Sequence, residues 1–297
     1  MWTSVGQTSA RRLRKPMLAL SLCAAALGAI AGPAQAQKRE KQLSGAFRTA
    51  FQFSGLGKEW WLAEYDHPAK WFRTSWRKDA AHAGPAGLSI TLQTVPEDRR
   101  VSAGEMAADD GTLHSAGKTA KDFVSAQLQR RKWFGYGRYE VVMRPASGAG
   151  VISAFYLYTG AHFGDSHEEI DIKFLGKDTT RVEFNRFRDG EPLAEPPSVD
   201  LGYDAAQEPT LYAIEWTEES ISWFYGETEA FRIRDASMVP RPPMKIYIDL
   251  WAGSARQADW LGMVAADVEA ETLVQCVSFV PAGKSGMPQC SDLMQAQ

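Results

Sequence analysis

Basic charge is in short supply in this chain. Its 33 Lys and Arg face 36 Asp and Glu over 297 residues, a formal net charge of −3. The first 36 residues hold four of the bases (Arg11, Arg12, Arg14 and Lys15) and no acid, so the remainder carries 29 bases against 36 acids, a net charge of −7. Phosphate backbones are bound through a basic face, and this balance argues against a nucleic-acid partner. Cysteine is scarce as well, with only Cys23, Cys276 and Cys290. Neither these nor the five histidines (His67, His82, His114, His162 and His167) stand at metal-ligand spacing, so no metal and no cofactor is expected. A G-x-S-x-G nucleophile elbow, a phosphate-binding glycine loop and a repeat of about 20 to 50 residues are all missing. The longest apolar run, Met17 to Ile30, has 14 residues, short of the roughly 20 that span a bilayer. What is present, 44% apolar, 11% aromatic and 23% charged residues with 25 Gly, excludes disorder, collagen and coiled coil.

The N-terminus reads as an address. A basic stretch (Arg11 to Lys15), the apolar run and the small-residue site Ala34-Gln35-Ala36 precede the charged Lys38-Arg39-Glu40. This is the pattern of a secretory signal peptide over residues 1–36. Leu22 before Cys23 is a poor match to a lipoprotein signal, and Arg14 sits where twin-arginine signals turn apolar. Residues 37–297 are then expected to form one exported domain, periplasmic or extracellular, without a membrane span and monomeric. Cleavage leaves Cys276 and Cys290 in an oxidising compartment, either bridged so as to tie down the tail or as two free thiols.

Short alternating segments recur beyond residue 37. Gly87 to Leu92, Gly137 to Met143, Leu211 to Trp216 and Met244 to Leu250 each alternate over a few residues between turn signals. Repeated period-two segments with no long amphipathic helix predict an all-β antiparallel sandwich or barrel. The stretches Met106 to Asp122 and Arg188 to Pro197 read as long loops. Trp60, Trp61, Trp71, Trp76, Trp216 and Trp223 sit in ordinary strand contexts and are assigned to packing.

The stretch from His167 to Asn185 carries the chemistry. As a strand, it sends Ile170, Ile172 and Phe174 to one face and Glu169, Asp171 and Lys173 to the other. A turn over Gly176 to Thr180 returns the chain, and a register centred on Asp178 sets Lys173 opposite Glu183 and Asp171 opposite Asn185. Side chains so opposed lie about 5 Å apart at Cβ, close enough for a Lys173–Glu183 ion pair. By itself, a carboxylate row on one sheet face is most simply a solvated surface.

Glu169-Ile170-Asp171-Ile172, followed by Phe174-Leu175-Gly176-Lys177-Asp178-Thr179-Thr180, closely resembles the active-site hairpin of glycoside hydrolase family 16, above all its bacterial mixed-linkage β-glucanases (lichenases). The likeness continues in Phe134 to Val141, Val151 to Gly160, Tyr212 to Trp216, Asp249 to Gly253 and Asp259 to Gly262, in the family's order over roughly residues 45 to 280. It implies a jelly-roll sandwich of two curved antiparallel sheets, concanavalin A-like, whose concave face forms a glycan-binding cleft. It also implies a polysaccharide partner, a β-glucan or exopolysaccharide, and a retaining mechanism in which a nucleophile and an acid/base carboxyl stand about 5 to 5.5 Å apart. By position, Glu169 matches the nucleophile and Asp171 the carboxyl that orients it. Tyr158, Trp251 and Asn185 match sugar-contacting positions, and His167, which stands where lichenases carry a Trp, is placed with them on the sugar-contacting rim.

The acid/base position is occupied by Lys173. A Lys with its ordinary pKa of about 10.4 is a poor proton donor, and carboxylates beside it favour the charged form. Glu183, where lichenase-like members usually carry Gln, is the remaining carboxyl one strand away. Two readings stay open for it: a relocated acid/base, or a counter-ion to Lys173 in a retired site. Correspondingly, the chain is either a hydrolase or transglycosylase with altered acid catalysis, or a glycan-binding pseudoenzyme using the same cleft.

Overall fold

A computed structural model of the chain describes residues 41–67, 69–101 and 118–294. The signal-peptide reading with Cys23, most of the Met106 to Asp122 loop and His114 lie outside the described residues. The rest forms two packed sheets. The larger has 11 strands, running in space from Thr228–Ile233 through Ile221–Tyr225, Thr210–Trp216, Gly137–Arg144, Ala270–Pro281 and Gly87–Thr94 to the edge strand Tyr65–Asp66. The smaller has eight, in the order Glu191–Pro192, Arg181–Arg188, Glu168–Leu175, Val151–Thr159, Lys245–Ala252, Gln127–Arg130 and Trp60–Leu62, with Ser198–Asp200 beside Arg181–Arg188. Among the described strand pairs all are antiparallel except Thr74–Trp76 with Phe123–Ser125. This is the jelly-roll sandwich that the family resemblance implies, and the four alternating segments become strands within one or two residues of their expected ends.

Alternation decides which side chains fill the middle. Phe155, Leu157, Ile170, Ile172, Phe174, Phe184, Ile246, Ile248 and Leu250 point from the smaller sheet into the core between the sheets, where they meet Trp216 and Trp223. Each such residue contributes about 1.5–3 kcal/mol by leaving water. Their neighbours of opposite parity, Ile152, Ala154, Tyr156, Tyr158, Tyr247 and Trp251, form a second cluster on the other face of that sheet with Phe72 and Trp76. Both faces are covered, so all nine residues of Val151–Thr159 are buried.

Two turns fix the strands that matter most. In the Gly176 to Thr180 turn, Asp178 Oδ1 accepts from the backbone N–H and hydroxyl of Thr180 at 3.2 and 2.6 Å, while its own N–H donates to Leu175 O at 2.9 Å. An aspartate bonded to its own turn in this way pins the register. The second turn corrects the sequence reading of Arg188 to Pro197 as a loop. Asp189 and Gly190 adopt φ of 53° and 88°, and Arg188 and Phe187 pair with Glu191 and Pro192. Two left-handed residues match the twist of a tight hairpin, and Asp-Gly is a preferred pair for it.

Cys276 and Cys290 are joined in a disulfide, buried with Val142 and Leu211. It holds the tail against the long strand Ala270–Pro281, where Cys290 N also donates to Ser278 Oγ at 3.0 Å. Among the described residues no helix is long and apolar enough to cross a membrane.

Candidate active site

Strand Glu168–Leu175 lies inside the smaller sheet between Val151–Thr159 and Arg181–Arg188. Its parity turns Glu169, Asp171 and Lys173 to the face opposite the core. Adjacent Glu168 has the other parity, and its Oε1 accepts from Arg188 Nη1 at 2.7 Å. Register pairs Lys173 with Glu183 and Asp171 with Asn185, as the turn chemistry predicts.

The side chains do not all follow the register. Lys173 Nζ turns along its own strand, 2.5 Å from Asp171 Oδ2 and 3.4 Å from Glu169 Oε1, rather than across to Glu183 as the sequence allowed. Glu183 Oε2 accepts instead from Trp260 Nε1 at 2.9 Å. The reason is charge density: two carboxylates on the ammonium's own strand outweigh one on the next. Burial pushes the Glu183 carboxyl above its usual range, opposed by the Trp260 hydrogen bond and the charge of Lys173. Asp171 is fully buried, and burial followed by the charge of Glu169 holds its carboxyl well above the carboxylate range despite Lys173. Its backbone oxygen accepts from Trp223 Nε1 at 2.9 Å, which ties this strand to the larger sheet.

His167, placed by sequence among the sugar-contacting residues, bonds the carboxylate row itself. Its Nε2 lies 2.8 Å from Glu169 Oε2 and its ring stacks on Phe187 at 4.4 Å and 11°. Burial lowers its pKa to about 4, so the ring is neutral near pH 7 and donates N–H to the carboxylate. Glu169 is thus held from both sides. Tyr158 stands beside His167, rings 5.4 Å apart, and Trp251 packs on Phe72 at 4.5 Å; both aromatics are 5% exposed. Asn185 is buried, its Oδ1 accepting from the backbone N–H of Arg186 at 2.8 Å and of Leu193 at 3.1 Å, so that oxygen closes the following hairpin.

Several neighbours escaped the sequence reading. Asp249 faces Lys173 across Ala154, the register partner of both. Its Oδ2 accepts from Gln127 Nε2 at 3.0 Å and Tyr156 Oη at 2.9 Å, and burial raises its pKa to about 6. Parity was the available signal, because Asp249 stands two residues before Trp251 on the same strand. Trp260, the donor to Glu183, lies in a four-residue helix with no periodic cue. The tryptophans assigned to packing do pack, in two separate clusters. Trp60, Trp216 and Trp223 join the core between the sheets, whereas Trp76 and the half-buried Trp61 and Trp71 join the cluster around Trp251. Among the described residues no three His, Cys, Asp or Glu side chains gather into a set able to hold a metal ion.

Two face-packed sheets with ionisable side chains on the outer face of the smaller one place this molecule among the jelly-roll sandwiches. The family model "Glycosyl hydrolases family 16" matches residues 69–268, and the chain belongs to that family. It is similar to the "Beta-glucanase" of Paenibacillus macerans, 32% identical over 222 residues that cover 73% of this chain and 86% of the relative. It is also similar to those of Brevibacillus brevis, 39% identical over 52% of this chain, and Bacillus subtilis, 43% identical over 43%. The chain spans 60% and 52% of the length of these last two. Among solved structures, the Bacillus licheniformis beta-glucanase superposes with a TM-score of 0.67 at 28% identity, covering 80% of this chain and 99% of the other. A prokaryotic lichenase derived from a mouse hindgut metagenome does so with a TM-score of 0.68 at 27% identity, over 80% and 100%.

Proposed function

We propose that this chain is an exported protein, processed after Ala36 to a single domain over residues 37–297, that takes a β-glucan or exopolysaccharide across the face bearing Glu169. One observation carries the proposal: Glu169, Asp171 and Lys173 alternate along one strand on the outward face of a family 16 sandwich, with Glu169 bonded to His167 and Lys173. In the retaining reading, the Glu169 carboxylate attacks the anomeric carbon, the glycosidic oxygen leaves with a proton, and water or a sugar hydroxyl then displaces Glu169. Hydrolysis and transglycosylation differ only in that last acceptor. Asp171 orients Glu169. Lys173 stands where the family resemblance puts the acid/base carboxyl, and it serves the two carboxylates as a counter-ion.

Glu183 is the candidate for the missing proton donor. Burial raises its pKa against the opposing Trp260 hydrogen bond, and that bond holds the carboxyl in place one strand from Lys173. A general acid is worth about 10² to 10⁴-fold for an alkoxide leaving group and little for an acidic one. Glu183→Gln therefore lowers turnover of a natural glycan while sparing an activated aryl glycoside. Equal turnover of the natural glycan by both proteins removes Glu183 from the mechanism.

A second reading, a glycan-binding protein without turnover, is favoured by the seating of the Lys173 ammonium against Glu169, which is 1% exposed. Reducing-end release from mixed-linkage β-glucan and laminarin separates the two. Release that disappears in Glu169→Gln supports the enzyme; binding without release in the natural protein supports the binder.

A further inference from the structure

A second cluster lies at one end of the same sheet face. Tyr158 is the register partner of both Glu169 and Lys245, so these three residues stand side by side on adjacent strands. At about 4.8 Å per strand, Lys245 is about 10 Å from Glu169 across the sheet. Its side chain is 6% exposed, yet among the described residues no carboxylate lies within ion-pair distance of it. Nζ donates to the carbonyl oxygens of Arg131 at 2.5 Å and Arg130 at 3.4 Å, and lies over the rings of Trp133 and Phe163 at 4.9 and 5.7 Å. Lys41 Nζ covers Trp133 at 4.1 Å and is paired with Asp165. At the exposed rim of the same turn stand Arg131 and Lys132, neither ion-paired among the described residues.

Lys41 and Lys245 thus share the Trp133 ring, and Arg131 and Lys132 directly precede it in the chain; Asp165 pairs with Lys41, Arg131 Nε donates to Lys58 O at 3.0 Å, and the nearby Glu59 acts on Arg130. The cations crowd each other: burial, then the charges of Arg131 and Lys41, push Lys245 down to about 8. A concentration of positive charge in a chain that is otherwise acidic focuses an attractive field for an anion. Aromatic rings beside it suit the apolar face of a sugar.

We infer that this corner is a subsite for an anionic substituent, a carboxylate or a sulfate ester, carried by the glycan, so that the protein selects acidic β-glycans over neutral ones. The inference rests on the reading that a glycan crosses the sheet over Glu169, since a chain lying along that row reaches Lys245 next. The contacts would come from Arg131 and Lys132, with Lys41 and Lys245, whose ammoniums already bond Asp165, Thr159 and backbone oxygens, adding their charge, and with Trp133 and Phe163 as the ring platform. Charged hydrogen bonds of this kind are the stronger class, and they weaken with salt.

Calorimetric titration in a Glu169→Gln background, which stops turnover, tests this with three probes on one backbone: mixed-linkage β-glucan, its C6-carboxylated form and its sulfated form. At low salt a charged form binds about tenfold or more tightly than the neutral one, and the preference shrinks at high salt. The double variant Arg131→Ala/Lys132→Ala loses the preference and keeps its affinity for neutral glucan, and Lys132→Glu weakens the charged form further. The carboxylated and sulfated arms identify which anion is preferred. Equal binding of all three probes overturns the subsite and leaves the glycan reading standing, as does a preference that survives the double variant. Binding of none of them overturns the glycan reading and the subsite with it.

Discussion

The ammonium of Lys173 lies 3.4 Å from Oε1 of Glu169, four residues upstream on the same strand. It is seated closer still to Asp171, and all three side chains are at most 5% exposed. A cation here both stabilises the carboxylate pair and occupies the place from which a proton would be delivered. Lys173→Glu is therefore expected to raise reducing-end release from mixed-linkage β-glucan by about 10²-fold or more. It also replaces a buried ion pair by three adjacent carboxyls, so urea denaturation at pH 7 should show a loss of about 3 kcal/mol. A folded variant with no gain in release would show that Lys173 is not what limits turnover.

His167 gives the fold a pH dependence of predictable sign. Its folded pKa of about 4 lies below the ordinary 6.5, so between these values the unfolded chain binds more protons. The contribution is complete above about pH 6.5 and is lost as pH falls through 4, amounting to about 3 kcal/mol for a shift of this size. Comparing wild type with His167→Gln by denaturant titration from pH 7 to pH 4 isolates it: the stability difference between them should shift against wild type as pH falls. Parallel profiles would mean that the imidazole is not held neutral.

Asp249 works in the opposite direction. Its folded pKa of about 6 lies above the ordinary 3.8, so its favourable contribution is present below about pH 4 and disappears as pH rises through 6. Asp249→Asn keeps the shape and an oxygen to accept from Gln127 and Tyr156. Relative to wild type, this variant should gain about 3 kcal/mol between pH 4 and pH 7. A pH-independent difference would contradict the buried, proton-holding state.

The Cys276–Cys290 bond closes a loop with a sequence separation of 14. Chain-entropy reasoning puts a crosslink of this size at about 3 kcal/mol. Replacing both cysteines by Ser should lower stability by about that amount and free the tail from Ala270–Pro281, read as faster amide exchange over residues 282–290. Unchanged exchange would show that packing of the tail is enough to hold it.

Alternation and turn residues made much of the candidate site legible in advance. Glu169, Asp171 and Lys173 share a face because strand side chains alternate, and Asp178 with its turn partners places Glu183 and Asn185 opposite them. The 188–197 segment was misread because Asp189-Gly190 was counted as loop material rather than as the two positive-φ residues of a tight hairpin. His167 was expected at the sugar-contacting rim, but two residues before Glu169 on the same face is also hydrogen-bond distance from its carboxylate.

What the amino-acid sequence determined by itself is local: the period-two strands, the register of one hairpin, and the presence of a lysine among carboxylates. The tertiary structure decided which way that lysine points and who else meets it. Trp260 reaches Glu183 across 77 residues, and Gln127 reaches Asp249 across 122. Such pairs depend on the spatial order of strands, in which Val151–Thr159 separates Glu168–Leu175 from Lys245–Ala252. Local periodicity carries no record of that order, because it is set by how distant apolar faces are buried together.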